Sequence, residues 1–197
     1  MRILVIGAHG TIGREIVNAL SGEHEVISAS RSNAGIGVDI RDVASVKAMY
    51  QKAGRVDAVI SAAGSGAWKP LAELTDDDFQ ISLGYKLMGQ VNVIRYGFDS
   101  VNDGGSITTT SGILSRSPMP GSAAISLVNC GLEGFTRAAA LEAPRGIRVN
   151  VVSPPWVTET LVEMGNPDMA PSLSAATVAQ AYVRSVTGSE TGQVIEP

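Results

Sequence analysis

The stretch RILVIGAHGTIG, residues 2–13, decides how the rest of this sequence is interpreted. After its leading arginine the first part is apolar and predicts a buried β-strand. Glycines follow at 7, 10 and 13, where they permit a tight turn and a close approach to the backbone. A strand, a glycine-rich turn and a helix in this order direct backbone N–H groups and the positive end of the helix at a phosphate. The stretch therefore predicts a phosphate-binding turn made by Gly7, His9, Gly10, Thr11, Ile12 and Gly13.

Short apolar runs alternate with helical patterns along the rest of the chain. Strands are expected at 2–6, 25–29, 35–38, 56–60, 105–110, 147–152 and 192–195. Helices are expected near 12–21, 42–53, 75–99, 122–142 and 174–187. Several apolar runs are nearly continuous, as in parallel strands that are covered on both faces. This alternation predicts the α/β class, with a single doubly wound parallel sheet and helices on both faces, the Rossmann fold.

The size of the chain fits one dinucleotide-binding domain over residues 1–197. No internal repeat or shift in composition marks a second domain. Residues 153–173 contain Pro154, Pro155, Pro167 and Pro171, and we expect them to form a substrate loop.

Charge, hydropathy and cysteine content limit the ligands and the cellular location that the sequence is compatible with. The net charge is −4 without a basic tract, which argues against nucleic acid and against an anionic membrane. No apolar run reaches membrane-spanning length, and the N-terminal strand does not resemble a secretion signal. A single cysteine, Cys130, excludes an internal disulfide, and no His, Cys and carboxylate cluster has metal-ligand spacing. We therefore expect a cytoplasmic protein without a metal.

The turn after the second strand indicates which dinucleotide is bound. In folds of this class an acidic residue there binds the ribose 2′-hydroxyl of NAD, whereas an arginine accommodates the 2′-phosphate of NADP. The turn contains Ser30, Arg31 and Ser32, and no Asp or Glu occurs within 26–35. Arg31 offers a planar fork to a phosphate, and the two serines add hydroxyl groups. We predict NADP as the cofactor, with a solvated surface arginine as the alternative interpretation.

Further landmarks follow in a fixed order along the chain. Val38-Asp39-Ile40 follows the third strand, and Ser61-Ala62-Ala63-Gly64 follows the fourth. LEGFTR at 132–137 lies in a long helix, before RGIRVNVVSPP at 145–155 and TGQVI at 191–195. Together these landmarks resemble the short-chain dehydrogenase/reductase family along essentially the whole chain. The spacing of the glycines in the first turn is closer to the extended and atypical branches of that family.

The resemblance implies a set of cofactor contacts. It puts Asp39 and Ile40 near the adenine and Pro154 to Val157 beside the nicotinamide. It also puts four consecutive residues along the adenosine ribose and the pyrophosphate: Ser61, Ala62, Ala63 and Gly64. The family usually has Asn-Asn-Ala-Gly and Pro-Gly at these two places, so this chain departs from the pattern. A helix cap is an equally supported interpretation of Asp39, and a rigid turn alone would account for the two prolines.

The usual catalytic pattern of the family is missing. Its members use Tyr-x-x-x-Lys on the long helix, where the tyrosine moves the proton and the lysine lowers the pKa of the tyrosine and holds the ribose. Alignment on Glu133-Gly134 puts Ile125 at the tyrosine position and Asn129 at the lysine position. An isoleucine cannot move a proton, so the usual mechanism is excluded. Asn129 keeps the ability to hydrogen-bond the nicotinamide ribose.

Two residues are candidates for the missing chemistry. Lys86 follows Ser82 by one helical turn. The pKa of a lysine packed among apolar groups is lowered enough for the amine to act as an acid or a base. Ser111, at the end of the fifth strand, would orient a carbonyl oxygen through its hydroxyl. A solvated helix lysine or a bridge between subunits is the alternative for Lys86. Tyr85 points to another face of the helix, where packing is expected.

The sequence thus predicts an NADP(H)-dependent oxidoreductase that acts on a small organic carbonyl or alcohol through a non-standard proton donor. A non-catalytic NADP(H)-binding sensor or regulatory protein is the alternative, and a structural subunit without ligand is a third. Helices 75–99 and 122–142 carry apolar residues on more than one face. These broad apolar surfaces and the family resemblance predict a homo-oligomer, either a dimer or a tetramer. Burial within one chain would also explain the apolar surfaces.

Overall fold

A parallel sheet forms the centre of the computed structural model, which describes residues 1–31, 35–166, 168–169 and 172–197. In chain order the first elements are β1 (Arg2–Ile6), α1 (Thr11–Leu20), β2 (Glu25–Ser30), β3 (Ile36–Gly37), α2 (Val43–Ala53), β4 (Val56–Ser61), α3 (Asp76–Ser82), α4 (Gly89–Gly97) and β5 (Val101–Thr110). They are followed by α5 (Ala123–Glu142), β6 (Arg148–Val152), β7 (Trp156–Val157), α6 (Thr158–Glu163), β8 (Ser172–Leu173), α7 (Ala175–Thr187) and β9 (Val194–Ile195). A π-helix, Leu83–Met88, joins α3 to α4.

Within the described ranges the central sheet has seven strands, ordered β3-β2-β1-β4-β5-β6-β9, and the pairs are parallel. The strand order reverses between β1 and β4, which leaves a crevice at the carboxyl edge of the sheet. A doubly wound parallel sheet was predicted from the alternation of strands and helices, and that prediction is confirmed.

Both faces of the sheet are buried. In β1, Ile3 and Val5 belong to a core with α1 and α7, whereas Leu4 and Ile6 belong to a core with α2 and α4. Successive residues of a strand point to opposite faces, so a strand with helices on both sides needs apolar residues at every position. This requirement explains the nearly continuous apolar runs in the sequence.

The helix predicted at 75–99 is divided into three segments. Thr75 caps α3 through a reciprocal capping box with Asp78, as its acidic first turn suggests. The π-helix at Leu83–Met88 then widens the backbone by one residue per turn before α4 begins. The buried carboxamide of Gln90 donates to the carbonyl oxygens of Lys86 and Thr110, at 3.0 and 2.8 Å, and accepts from the Thr110 N–H. The wide turn is thereby bonded to the end of β5.

The segment 153–173 contains regular structure. Trp156 and Val157 of β7 pair in parallel with Ser172 and Leu173 of β8, and α6 lies between these strands. Pro167 and Pro171 lie outside the described residues, as does Ser32. The use of this segment as a substrate loop stays a prediction.

Two further findings concern the described part of the chain alone. None of its helices combines the length and the apolar character that crossing a bilayer requires. Nor does it contain a group of three or more His, Cys, Asp or Glu side chains able to hold a metal ion.

The glycine-rich turn depends on a very close backbone contact. Gly7 has a φ of +82°, and a Cβ placed there would lie 2.9 Å from the carbonyl oxygen of Ala62. A Cβ on Gly13, in the first turn of α1, would lie only 2.0 Å from the carbonyl oxygen of Gly7. Gly10 is the N-cap of α1, where a Cβ would meet that same oxygen at 3.4 Å. Gly7 therefore lets the turn pack against the chain that follows β4, and Gly13 lets it pack directly on α1.

We expect Gly13→Ala to lower the free energy of unfolding by about 1–3 kcal/mol, as overpacking of a tight site does. Replacing glycine by alanine within a helix usually stabilises a protein by up to about 1 kcal/mol. A loss of stability in Gly13→Ala would therefore indicate the close contact with Gly7. Gly10→Ala is the matched control and should stay within about 1 kcal/mol of the wild type. Urea unfolding followed by circular dichroism measures all three proteins, and a stabilised Gly13→Ala variant would contradict the contact.

Candidate functional site

Two adjoining cavities occupy the carboxyl edge of the sheet. The first, here the glycine-turn cavity, has a volume of about 380 Å³ and is lined mainly by Gly7, His9, Gly10, Ser30, Arg31, Val38, Ile40, Ala62, Ala63 and Tyr85. The second, here the Lys86 cavity, has a volume of about 420 Å³ and is lined mainly by Trp68, Lys86, Ser111, Gly112, Ile113, Leu114, Ile125, Asn129, Pro154, Pro155, Trp156, Val157 and Met164. Gly64 and Ser65 line both cavities, which therefore form one crevice.

Most residues of the predicted cofactor site line this crevice, but some lie behind it. Thr11, Ile12 and Gly13 belong to the first turn of α1 and do not line the glycine-turn cavity. Ser61 is fully buried at the end of β4, where its carbonyl oxygen accepts from the hydroxyl of Thr110. The Nδ1 atom of His9 lies 3.1 Å from the hydroxyl oxygen of Ser30, so these two residues are joined at the cavity wall.

The carboxylate of Asp39 is paired with a neighbouring arginine, and its predicted place near the adenine stays a prediction. Its carboxylate accepts three hydrogen bonds from the Arg41 guanidinium, at 2.6–3.1 Å, and does not line the cavity. The Arg41 side chain holds the pKa of the Asp39 carboxyl below its usual value. The N-cap of α2 is Asp42, whose carboxylate accepts from the Ala44 N–H. The helix-cap interpretation of Asp39 is therefore wrong.

Tyr85 was missed as a site residue. Its ring lines the glycine-turn cavity and packs against the core below. The guanidinium carbon of Arg31 lies 5.0 Å from the centre of this ring, and that of Arg41 lies 5.6 Å away. Such distances are typical of cation–π contacts. Two guanidinium groups therefore contact one aromatic ring, at the end of the cavity that lies beside the carboxyl end of β2.

Lys86 lies in the second cavity. The ammonium Nζ donates to the backbone oxygen of Ser111 at 3.1 Å. Its side chain passes Gly64, where a Cβ would come within 3.1 Å of the Lys86 Cδ. Burial lowers the pKa of Lys86 from 10.5 to about 8, because the neutral amine is easier to desolvate than the ammonium. Among the described residues that line this cavity, Lys86 alone carries an ionisable side chain.

Ile125 and Asn129 both face the Lys86 cavity. Asn129 is 1% exposed, and its amide nitrogen donates to the carbonyl oxygen of Gly112 at 3.3 Å. Its Oδ1 atom has no hydrogen-bond partner among the residues that the structure describes. An unpaired buried acceptor is costly, and one at a cavity wall is suited to a ligand that donates a hydrogen bond.

A buried carboxylate lies behind the cavity. One oxygen of Glu133 accepts from the hydroxyls of Ser111 and Ser115 at 2.7 Å and from Ser153 at 3.2 Å. Arg116 donates to the hydroxyl of Ser153. The hydroxyl of Ser111 thus donates to Glu133, while the backbone oxygen of Ser111 accepts from Lys86. The only sequence signal for this cluster is an acidic residue on the buried side of α5, next to Leu132.

The remaining wall of the Lys86 cavity is aromatic and apolar. Trp68, from the chain after β4, meets Trp156 of β7 with ring centres 5.4 Å apart and planes at 64°. Pro154 and Val157 lie in the same wall, and their contact with a nicotinamide stays a prediction. Trp68 was not identified from the sequence, because nothing in the chain marks its approach to β7.

Comparison with known proteins places these features in a family. The family model for enoyl-(acyl carrier protein) reductases matches residues 12–195, from the first turn of α1 to β9. The hydroxynaphthalene reductase arp2 of Aspergillus fumigatus is 30% identical over 149 residues, which are 73% of this chain and 52% of that protein. An uncharacterised oxidoreductase of Methylorubrum extorquens is 30% identical over 144 residues, 73% of this chain and 56% of that protein. The chain spans about half the length of the curated relatives it matches.

Solved structures extend the likeness over the whole chain. The protein lin1944 from Listeria innocua is 40% identical with a TM-score of 0.96, covering 100% of this chain and 98% of that one. A small-chain dehydrogenase solved in complex with NADPH is 27% identical with a TM-score of 0.89, covering 100% of this chain and 96% of that one. The family model, the sequence relatives and the shared fold agree, and the chain belongs to the short-chain dehydrogenase/reductase family.

Proposed function

We propose that this protein binds NADP(H) along the two cavities and uses it to interconvert a small organic carbonyl compound and its alcohol. The observation that carries the proposal is the continuous crevice, which runs from Arg31 past Gly7 and Gly64 to Lys86. The NADPH found in the small-chain dehydrogenase of the same fold supports this choice of cofactor.

The glycine-turn cavity fits the adenosine and pyrophosphate half of the cofactor. Gly10, the N-cap of α1, offers no side chain to the helix N-terminus, and the first turn carries no acidic residue. The backbone N–H groups and the positive end of α1 are therefore suited to a pyrophosphate. Gly7 also lines this cavity, and its positive φ gives the turn its shape.

The outer end of the same cavity fits a 2′-phosphate. Arg31 lines it, and no carboxylate does so among the residues that the structure describes. The nearby carboxylate of Asp39 pairs with Arg41 and does not line the cavity, so it is poorly placed to bind a ribose 2′-hydroxyl. The ring of Tyr85 orients the Arg31 guanidinium, so Tyr85 acts as a positioning residue for NADP.

The Lys86 cavity fits the nicotinamide half and the substrate. When bound there, NADPH supplies a hydride to the carbonyl carbon. The Oδ1 of Asn129 would accept a hydrogen bond from a ribose hydroxyl. Lys86 Nζ would donate its proton to the carbonyl oxygen, since it is the ionisable group on the described wall. Ser111 positions that amine through its backbone oxygen, because its hydroxyl is bonded to Glu133.

A sensor that binds NADP(H) without turnover is the second candidate. The observation that favours it is Ile125, which faces the cavity from the position where the family usually has its tyrosine. Binding of NADPH without oxidation by any carbonyl compound would support the sensor over the enzyme. Absence of dinucleotide binding would overturn both.

We expect NADPH to bind more tightly than NADH, and Arg31→Asp to weaken NADPH about 10–100-fold while changing NADH less than about threefold. The physical reason is the loss of charge-assisted hydrogen bonds to the 2′-phosphate, which NADH lacks. Fluorescence titration of each dinucleotide measures both constants. Equal losses for the two dinucleotides would reject Arg31 as the selecting residue.

Tyr85 offers a matched pair of variants. Tyr85→Leu removes the ring and should reduce the preference for NADPH about two- to fivefold, as expected for an exposed cation–π contact. Tyr85→Phe keeps the ring and should keep the preference. The ratio of the NADPH and NADH dissociation constants is the readout, and identical ratios in both variants would exclude the positioning role.

We expect Lys86→Met to slow carbonyl reduction by about 10²–10⁴-fold, with unchanged affinity for NADPH. Lys86→Arg is the control, because it keeps the positive charge but does not release a proton near neutral pH. In the wild type the ammonium form is the proton donor, so kcat/KM for reduction should be level below pH 8 and fall above it. Alcohol oxidation should show the opposite trend, since it needs the neutral amine. Normal turnover by Lys86→Met would remove Lys86 from the mechanism.

A further inference from the structure

The two tryptophans of the sequence meet in the wall of the Lys86 cavity. Their ring centres are 5.4 Å apart at 64°, an edge-to-face arrangement. Both side chains are half-buried, so each is covered on one side and faces the cavity on another. The pair therefore presents a rigid aromatic surface to whatever enters this cavity.

Backbone contacts hold the two segments that carry these rings. Gly121 has a φ of +87°, and a Cβ there would lie 2.9 Å from the indole nitrogen of Trp68. The N–H of Lys69, next in sequence, donates to the carbonyl oxygen of Gly121 at 3.1 Å. On the other side, Trp156 is paired with Ser172 in the β7–β8 ladder. The ring of Trp68 is thus packed against backbone, and Trp156 belongs to a paired strand and contacts Trp68.

The rest of the described wall separates into an apolar part and a small polar part. The apolar part is formed by Ile113, Leu114, Ile125, Pro155, Val157 and Met164. Its polar part consists of the Lys86 ammonium, the Asn129 amide and the hydroxyls of Ser65, Ser111 and Thr160. The Ser111 hydroxyl is bonded to Glu133, and the Oδ1 of Asn129 is assigned above to the ribose of the cofactor, so the ammonium is the charged group left for a substrate. A substrate with many hydroxyl groups would leave most of them without partners against this wall, which is costly. A flat apolar ring with one polar atom matches it.

We propose that the substrate is a ketone fused to or conjugated with an aromatic ring, which lies against Trp68 and Trp156 while its oxygen reaches Lys86 Nζ. This inference rests on the proposed function and adds the class of substrate. The carbonyl carbon accepts the hydride given up by NADPH, and the electron pair of the C=O bond moves to oxygen. That oxygen takes the proton from Nζ, so the ketone becomes a secondary alcohol and NADPH becomes NADP⁺.

Three carbonyl probes separate the competing explanations. 1-Tetralone is a fused aromatic ketone, 1-decalone has the same skeleton without the aromatic ring, and pyruvate carries a carboxylate that would pair with Lys86. We expect kcat/KM with NADPH to be about tenfold higher for 1-tetralone than for 1-decalone and lower still for pyruvate. Ligand-induced thermal shift in the presence of NADP⁺ should follow the same order and needs no turnover.

Variants of the two tryptophans test the surface itself. Trp68→Leu and Trp156→Leu should each lower kcat/KM for 1-tetralone about five- to tenfold and change that for 1-decalone less than about twofold. Trp68→Phe and Trp156→Phe keep an aromatic ring and should retain most of the preference. Both tryptophans line the cavity assigned to the nicotinamide half, so the dissociation constant of NADPH is measured for each variant and kcat/KM is compared at saturating NADPH. Circular dichroism and the unfolding temperature of each variant without ligand report that it is folded.

The outcomes distinguish this inference from the proposed function. If NADPH does not bind, the proposed function fails. If NADPH binds and 1-tetralone gives neither a preference over 1-decalone nor a larger thermal shift, only the substrate class is overturned. A preference for pyruvate would likewise overturn it, in favour of an acidic substrate held by Lys86.

Discussion

The carboxamide of Gln90 bonds to both backbone groups of Thr110 and to the carbonyl oxygen of Lys86. It is fully buried, so each of these bonds is shielded from competing water. Through it the end of β5 and the π-helix keep a fixed separation. Lys86 and Tyr85 are consecutive residues of that π-helix, yet one lines the Lys86 cavity and the other lines the glycine-turn cavity. The arrangement of both halves of the crevice depends on this amide.

Charge is distributed unequally along the crevice. At the end near β2, Arg31 and Arg41 share the ring of Tyr85, and the carboxylate of Asp39 pairs with Arg41 and also attracts Arg31. At the other end a single ammonium stands in apolar surroundings, where desolvation works against its charge. Behind it, Glu133 is satisfied by three serine hydroxyls and makes no direct contact with Lys86 in the described structure. The fold thus keeps a cation and an anion close together without joining them in an ion pair, which leaves the amine available to a ligand.

Much of the fold could be predicted from the sequence, because it depends on local patterns. Apolar runs such as 56–60 identify strands buried on both faces, and the glycines of 2–13 identify the turn. The site was only partly predictable. The π-helix breaks the 3.6-residue period, so the direction of Tyr85 into the first cavity could not be read from spacing. The contact of Trp68 with Trp156 and the serines around Glu133 join distant parts of the chain, which carry no local signal.

Gly64 is the position at which the two cavities meet. Its φ of +134° strains any other residue, and a Cβ would also press on the Lys86 side chain at 3.1 Å. Any bulkier residue there would push against the π-helix and displace the amine of Lys86 from its place at the end of β5. Directed-evolution libraries that change the Lys86 cavity should therefore keep position 64 as glycine and vary the residues of the apolar wall around Ile113.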